Sequence, residues 1–403
     1  MSVTELDPLA CRVATGATGL LRAFNDAGVL DAADVHTAQR ITALGKEADE
    51  TVGLALALAV RALRGGSVCV DLLSVAADSG VAELDWPDPG QWLAAVQASP
   101  LAEQVLRLYG DRLLYLDRYW RDEEQVCADL LALSAPGTAP ADLPAFERLF
   151  PSGFDEQRAA AEIALSRAVT VLTGGPGTGK TTTVARLLAV LAEQAEVTGK
   201  PGLRIALAAP TGKAAARLTE AVAIEVANLE PVDQARLSGL QASTLHMLLG
   251  RRPDNSVRFR HDRGNRLPHD VIVVDETSMV PLTLMARLLE AVRPDARLIL
   301  VGDPDQLASV EAGAVLADLV DGLSARSQNR VATLQTPHRY KESIGALATA
   351  IRDGDAEQVI ALLAAGGEHV EWLDVATSID PAEQLAKIVV PHALEVRRAA
   401  LLG

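Results

Sequence analysis

One glycine-rich segment constrains the fold of this 403-residue chain more than any other. Gly174-Gly-Pro-Gly-Thr-Gly-Lys-Thr181 directly follows an apolar run, residues 169–173, and opens a helical pattern. It matches the spacing G-x-x-x-x-G-K-[ST], in which glycines let backbone N–H groups face phosphate oxygens at the N-terminus of a helix. Sequence and context together predict a strand, a phosphate-binding loop and a helix in that order, rather than a chance glycine-rich turn.

Short apolar runs alternate with helical patterns throughout this part of the chain. Four runs are rich in β-branched and aliphatic residues, and a polar or glycine-containing turn and then a helix follow each of them: residues 169–173, 204–208, 271–274 and 297–301. This order is typical of a parallel sheet with right-handed crossovers. We therefore predict an α/β fold with helices on both faces of the sheet and functional residues at the carboxyl ends of its strands.

The glycine-rich segment predicts a binding site for ATP and Mg²⁺. Lys180 is expected to reach the β- and γ-phosphates, and the hydroxyl of Thr181 is expected to ligate the metal ion. The predicted nucleotide-binding residues of the segment are Gly174, Gly175, Pro176, Gly177, Thr178, Gly179, Lys180, Thr181 and Thr182.

Two further strand ends contain polar residues suited to this chemistry. Asp275 and Glu276 follow the run 271–274, and two adjacent carboxylates there are costly unless a cation compensates them. Asp275 is expected to hold Mg²⁺ directly or through water, and Glu276 to polarise the attacking water. Beyond the run 297–301, Gln306 could sense the γ-phosphate, whereas Asp303 is equally consistent with a helix cap.

These three segments resemble those of superfamily 1 helicases. The form Asp275-Glu-Thr-Ser-Met279, with Ala209-Pro-Thr-Gly-Lys-Ala-Ala-Ala-Arg-Leu218 and Ser243-Thr-Leu-His-Met-Leu-Leu249, is similar to the RecD branch, the α subunit of exodeoxyribonuclease V. Residues 63–72 and 114–123 are similar to the N-terminal region of that family, so the resemblance covers nearly the whole chain. It implies a RecA-like P-loop NTPase sheet preceded by a small, mainly α-helical N-terminal domain.

The resemblance also implies an activity and partners. It points to an ATP-dependent 5′→3′ DNA helicase subunit of the RecBCD exonuclease/helicase complex, acting in double-strand-break repair by homologous recombination. The implied partners are single-stranded DNA and the RecC and RecB subunits of a heterotrimer. The family pattern assigns adenine recognition to Gln157, for which a surface glutamine is the alternative.

Further site residues follow from the same resemblance. The implied catalytic residues are Lys180, Glu276, Gln306 and Arg339. Arg339 lies in Thr336-Pro-His-Arg-Tyr340 and would reach the γ-phosphate, with a structural ion pair as the alternative. The implied DNA-binding residues are Pro210, Thr211, Lys213, Arg217, Thr244 and His246. Solvated helix starts, and a packing role for His246, are the alternatives.

Charge and composition limit how the chain can contact its partners. The formal net charge is −16, so any DNA contact must be a local patch. Residues 251–266 contain six arginines and two aspartates, which indicates a loop or small hairpin that either tracks a phosphate backbone or is simply solvated. The sequence lacks a membrane span, a secretory signal and paired cysteines, and we expect a cytoplasmic protein.

Residues 134–141 form a linker of small residues, prolines and a glycine, which divides the chain near residue 142. We predict three domains. Residues 1–142 would form the helical N-terminal domain for partner docking, 143–345 the first motor domain, and 346–403 a helical lead-in to a second. Tyr109, Tyr115, Tyr119 and Trp120 would either fill a small helical core or form a partner surface.

The motifs of a second motor domain are not found after residue 340. We therefore expect a C-terminally truncated chain that binds Mg-ATP, hydrolyses it very slowly and does not unwind DNA alone. Three alternatives stay open. One is a stand-alone RecD-like helicase, the second a nucleotide-binding docking subunit without motor activity, and the third a P-loop ATPase that is not a helicase.

Overall fold

The computed structural model has two compact units, residues Met1–Thr336 and Pro337–Gly403. It describes residues 12–133, 144–199, 202–252, 255–306, 309, 311–313, 315–325, 330–336, 342–367, 370, 372 and 381–402. The predicted linker and Arg339 lie outside the described residues, and the predicted domain boundary near residue 142 stays a prediction. No helix in the described part of the chain is long and apolar enough to cross a membrane.

The N-terminal part of the first unit combines six helices with three short strands among its described residues. In chain order these are α1 (Gly19–Asp26), α2 (Ala32–Gly45), α3 (Glu50–Arg64), β1 (Cys69–Asp71), α4 (Val75–Asp78), α5 (Pro89–Ala98), β2 (Leu106–Tyr109), β3 (Leu113–Leu116) and α6 (Asp117–Ala132). The strands form an antiparallel sheet in the order β1-β3-β2, which the helical periodicity did not predict. Each strand has only three or four residues, too few to show an alternating pattern.

A hydrophobic core stabilises this N-terminal part. Helix α3 is buried on nearly all sides, and Leu54, Leu56 and Leu58 are almost completely removed from solvent. Trp92 of α5 packs against it and donates its indole N–H to the carbonyl oxygen of Thr51 at 2.7 Å. The edge-to-face pair of Phe24 and Trp86 adds aromatic contacts, with ring centroids 4.6 Å apart.

The tyrosine-rich segment divides between core and surface. Tyr115 on β3 is buried, whereas Tyr109 on β2 is 56% exposed. Trp120 of α6 lies between them, with ring centroids 5.1 Å from Tyr109 and 5.2 Å from Tyr115. Tyr119 packs against a different cluster, which belongs to the large sheet. The rings therefore form neither the helical core nor a wholly exposed surface.

The larger part of the first unit is built on a six-stranded sheet. Its elements are α7 (Pro144–Leu149), α8 (Asp155–Ser166), β4 (Val169–Gly174), α9 (Lys180–Val197), β5 (Ile205–Ala209), α10 (Gly212–Ala227), α11 (Pro231–Arg236), β6 (Ala242–Thr244), α12 (Leu245–Leu249), β7 (Arg251–Arg252), β8 (Asn255–Phe259), β9 (Val271–Val274), the 3₁₀ turn Thr277–Met279, α13 (Leu282–Ala291), β10 (Arg297–Gly302), α14 (Val315–Ser324) and β11 (Val331–Leu334).

The six strands run parallel in the order β11-β4-β10-β9-β5-β6. The four predicted strands are confirmed as β4, β5, β9 and β10. Two separate buried clusters, one on each face of the sheet, show that helices cover both faces. The predicted P-loop α/β architecture is thus confirmed, and the carboxyl ends of all six strands meet at one edge.

Helix α6 belongs to the core of this sheet as well as to the N-terminal part. Val126 and Leu130 lie in the same buried cluster as Met285 and Leu289 of α13. Two ion pairs flank this apolar seam: Arg287 of α13 contacts Asp122 at 3.0 Å, and Arg263 contacts Asp129 at 2.8 Å. The two parts of the first unit therefore share a continuous packed interface.

The described part of the second unit consists of three helices. These are α15 (Glu342–Arg352), α16 (Ala356–Ala365) and α17 (Pro381–Leu402). Asp355 caps the start of α16, because its carboxylate accepts the backbone N–H of Gln358 at 2.9 Å. The sequence predicts helices in residues 346–403, and these three helices lie in or overlap that range.

Candidate nucleotide site

The glycine-rich segment forms a tight loop between β4 and α9. Gly177 and Gly179 have φ angles of 79° and 88°, a region that residues with a side chain rarely adopt. The ammonium group of Lys180 donates to the carbonyl oxygens of Gly174 at 2.5 Å and Gly175 at 3.0 Å. The hydroxyl of Thr178 donates to the same Gly175 oxygen at 2.9 Å. The lysine is thus held at the loop, where phosphate oxygens could replace these carbonyls as its partners.

The order of the strands surrounds Lys180 with carboxylates. Strand β10 lies between β4 and β9, so Asp303 after β10 and Asp275 and Glu276 after β9 face the phosphate loop. Burial lowers the pKa of Lys180, and the charges of Asp303, Asp275 and Glu276 oppose that change. Burial also raises the pKa of Asp275, and the neighbouring charge of Glu276 raises it further, whereas Lys180 lowers it. Among the described residues, three acidic groups thus act on one ammonium group, so a bound cation would offset the excess of negative charge.

A divalent cation fits this donor set. Among the described residues, no group of three or more histidine, cysteine, aspartate and glutamate side chains could hold a metal ion by itself. Mg²⁺, however, is commonly bound through one or two protein oxygens together with substrate phosphates and water. The hydroxyl of Thr181 and the carboxylate of Asp275 are the protein oxygens suited to that arrangement.

The two acidic strand ends are joined through a polar contact. Glu276 has a φ angle of 51°, an uncommon conformation for a residue other than glycine. The Ser278 hydroxyl, two residues later, donates to the side-chain oxygen of Gln306 at 3.3 Å. Asp303 is buried and accepts the N–H of Asp305 at 3.1 Å, so within the described residues it stabilises a turn. Ser278 could not be identified from the sequence, because no local pattern indicates a contact with a residue 28 positions away.

Two other predicted nucleotide residues have distinct environments. Gln157 in the first turn of α8 is only 3% exposed, so the alternative of a surface glutamine is wrong. The hydroxyl of Thr182 donates to the carboxylate of Glu225 on α10 at 2.9 Å. Thr182 is therefore engaged with a neighbouring helix, and its predicted contact with nucleotide stays a prediction.

The predicted DNA-binding segments lie side by side at the same edge of the sheet. Strands β5 and β6 pair with Ala209 opposite Thr244. Thr211 caps α10 by accepting the N–H of Ala214, and Thr244 caps α12 by accepting the N–H of Met247, both at 3.2 Å. Both threonine side chains thus have structural roles at helix starts.

The cations of these segments are exposed to solvent. Lys213 and Arg217 are exposed on α10. His246 is exposed as well, and its ring lies 5.7 Å from that of Phe259. Pro210 precedes the cap of α10 and is half-buried. Two cations and a histidine at adjacent strand ends are available for a polyanion.

The arginine-rich segment contains a two-stranded hairpin, β7 paired with β8, as one of its two predicted forms. The partners of Arg263 and Arg266 lie within the protein. Arg263 pairs with Asp129 of α6, and Arg266 donates to the carbonyl oxygen of Val292. These two arginines therefore have structural roles, and phosphate tracking by the segment stays a prediction.

The phosphate loop is tightly packed around Gly174. A Cβ added there would lie 2.8 Å from the carbonyl oxygen of Leu334 on β11 and 2.6 Å from the Thr178 hydroxyl. We expect Gly174→Ala to displace the loop and to weaken ADP binding at least about 10-fold, because rigid backbone cannot yield as a side chain can. Isothermal titration with ADP measures this. Gly212→Ala is the matched control, since nothing lies within 4 Å of its Cβ, and equal affinities for the two variants would contradict the prediction.

Comparisons with known proteins agree with the two-part organisation of the first unit. A family model described as "RecBCD enzyme subunit RecD, N-terminal domain" matches residues 26–113, and one described as "AAA domain" matches residues 157–312. The RecBCD enzyme subunit RecD of Mycobacterium tuberculosis is 66% identical over 405 aligned residues, which include all of this chain and 68% of that protein.

Two further relatives span different shares of the chain. The RecBCD enzyme subunit RecD of Mycolicibacterium smegmatis is 67% identical over 95% of this chain and 68% of its own length. The ATP-dependent RecD2 DNA helicase of Deinococcus radiodurans is 38% identical over 60% of this chain and 32% of its own length. The chain thus spans about two thirds of the first two relatives and one third of the last.

Proposed function

Because the chain belongs to the RecD family, we propose that it is an ATP-dependent DNA helicase subunit that acts within a RecBCD-type complex. The observation that supports this most is the shared edge of the sheet. The phosphate loop, the acidic residues after β9 and the two DNA-binding segments all follow the carboxyl ends of parallel strands. Nucleotide chemistry and contacts with a polyanion would then occur on one rigid framework.

The proposed nucleotide chemistry divides between four residues. Lys180 would exchange the carbonyl oxygens of Gly174 and Gly175 for phosphate oxygens, while Thr181 and Asp275 hold Mg²⁺. The ion would supply the positive charge that the site lacks. Glu276 would orient the attacking water, and its left-handed backbone conformation is of the strained kind that clusters at functional sites.

A chain of contacts would link nucleotide state to DNA. The backbone N–H of Asp275 donates to the carbonyl oxygen of Ala208 on β5 at 2.9 Å. Strand β5 leads directly into Pro210 and Thr211 at the start of α10. A shift of the acidic segment would therefore reach the predicted DNA contacts through one hydrogen bond. Translocation on single-stranded DNA in the 5′→3′ direction is part of the proposal, on the strength of the family resemblance.

The proposed partners are RecC and RecB in a cytoplasmic heterotrimer. The N-terminal match favours this assignment over a stand-alone helicase, because the matching model describes a RecBCD subunit. The exposed Tyr109 next to Trp120 is a ring pair of the kind that anchors protein interfaces.

The test of this function is ATP hydrolysis with and without single-stranded DNA, by the protein alone and with the other subunits. We expect slow hydrolysis by the protein alone and DNA-stimulated hydrolysis when the other subunits are present. Neutralising Lys213 and Arg217 together should raise the half-saturating DNA concentration about 10-fold and reduce its salt dependence, since each phosphate contact releases counterions. Arg22→Gln, an exposed arginine of α1, is the matched control. Hydrolysis that is indifferent to DNA in both preparations would overturn the proposal.

A further inference from the structure

Glu156 connects the start of α8 to the end of β11. One carboxylate oxygen accepts the backbone N–H groups of Gln335 at 2.9 Å and Thr336 at 3.2 Å. The other oxygen accepts the hydroxyl of Thr336 at 2.8 Å. Three donors that are 179 and 180 residues away thus converge on one side chain. Hydrogen bonds to an ionised carboxylate are roughly twice as strong as neutral ones.

The end of β11 that Glu156 holds is in contact with the phosphate loop. Leu334 pairs with Gly174 in the sheet register, and its carbonyl oxygen would lie 2.8 Å from a Cβ added to Gly174. One strand residue earlier, the hydroxyls of Thr333 and Thr173 are 3.0 Å apart and hydrogen-bonded. Movement of the β11 end would therefore be transmitted to the first glycine of the loop.

Glu156 also has a significant neighbour in the sequence. Gln157, the predicted adenine-recognition residue, follows it directly and is buried. The first turn of α8 thus contains both the side chain expected at the base and the side chain that holds β11. The base end and the phosphate end of a bound nucleotide are joined through these two consecutive residues.

We propose that Glu156 is a positioning residue for ATP hydrolysis, an inference that rests on the proposed function. Its carboxylate fixes the end of β11 against the phosphate loop. It contacts no reacting atom in this arrangement. Its contribution therefore appears in the rate of the chemical step, which is sensitive to small displacements, and not in the affinity for nucleotide.

Glu156→Gln removes the negative charge of the side chain and keeps nearly the same shape. The amide has one accepting oxygen, and its NH₂ group can only donate, so Glu156→Gln cannot accept from all three donors. Thr336→Val removes only the hydroxyl donor, and Thr336→Ser restores it. Glu162→Gln is the matched control, because Glu162 lies on the same helix and makes an exposed contact with Arg158 four residues earlier.

The experiment measures kcat and KM for DNA-stimulated ATP hydrolysis and the dissociation constant for ADP, with the activity left in Lys180→Gln subtracted. We expect kcat to fall about 10- to 100-fold in Glu156→Gln and a few-fold in Thr336→Val. Thr336→Ser and Glu162→Gln should equal the wild type. ADP affinity should stay within about threefold throughout, since these substitutions, unlike Gly174→Ala, add no atom against the phosphate loop.

The outcomes separate this inference from the proposed function. If the wild-type protein shows no DNA-stimulated hydrolysis above the Lys180→Gln background, the proposed function fails. If the wild type is active and Glu156→Gln matches Glu162→Gln, only the role of Glu156 fails. If the affinity for ADP falls as far as kcat, Glu156 only stabilises the local structure. That result would also overturn the inference. Should Glu156→Gln not fold, the difference between Thr336→Val and Thr336→Ser decides: a lower kcat only in the valine variant supports it, and equal rates refute it.

Discussion

Replacing Lys180 by glutamine is expected to lower ATP hydrolysis at least about 100-fold, the effect of removing one preorganised donor from developing charge. The lysine is the ammonium group that Asp275, Glu276 and Asp303 share, and it is held by the loop carbonyls. The fold should survive, because a glutamine amide can still donate to the carbonyl oxygen of Gly174. Steady-state phosphate release, with and without single-stranded DNA, measures the effect.

The control for this variant is Lys46→Gln, an exposed lysine that follows α2. It changes the net charge by the same amount and leaves the nucleotide site intact. Its hydrolysis rate should match the wild type. A Lys180→Gln protein that hydrolyses ATP within threefold of this control would mean that the phosphate loop is not the site of the activity.

Replacing Trp92 by alanine is expected to lower the free energy of unfolding by about 3–5 kcal/mol, the range for large aromatic truncations in a core. Trp92 is only 2% exposed, and its indole N–H is the partner of the Thr51 carbonyl oxygen. The substitution therefore leaves a cavity and removes a hydrogen bond from α5 to the second residue of α3. Urea unfolding followed by circular dichroism measures the loss.

Two variants separate the contributions at this site. Trp92→Phe keeps most of the ring volume but removes the donor, so we expect a loss smaller than that of alanine. Trp372→Ala is the matched control, because this tryptophan of the second unit is 50% exposed. Equal losses for Trp92→Ala and Trp372→Ala would contradict the packing described for the N-terminal core.

Sequence patterns predicted the centre of the sheet better than its edges. Strands β4, β5, β9 and β10 are covered on both faces, so their continuous apolar runs are visible without any structure. Strand β6 has only three residues, and β11 is interrupted by the exposed Thr333, so neither produces a continuous apolar run. Strand β11 became apparent only from its pairing with β4.

The candidate site shows the same division. The phosphate loop is one contiguous segment and the acidic pair is another. The spacing within each segment is enough to predict its chemistry. The contacts of Ser278 with Gln306 and of Glu156 with Thr336 join residues that are far apart in the chain. A side chain of ordinary type at an ordinary helix position gives no local signal, so only the folded arrangement identifies these partners.

The seam between α6 and α13 has a consequence for synthesis on the ribosome. Helix α6 ends at Ala132, and α13 begins at Leu282, about 150 residues later. At a translation rate of roughly 5–20 residues per second, Val126 and Leu130 would wait on the order of ten seconds for Met285 and Leu289 to emerge. During that interval the nascent chain exposes an apolar helix face, and chaperones would have time to engage it. Efficient production of this protein should therefore depend on what covers α6 before its partner helix exists.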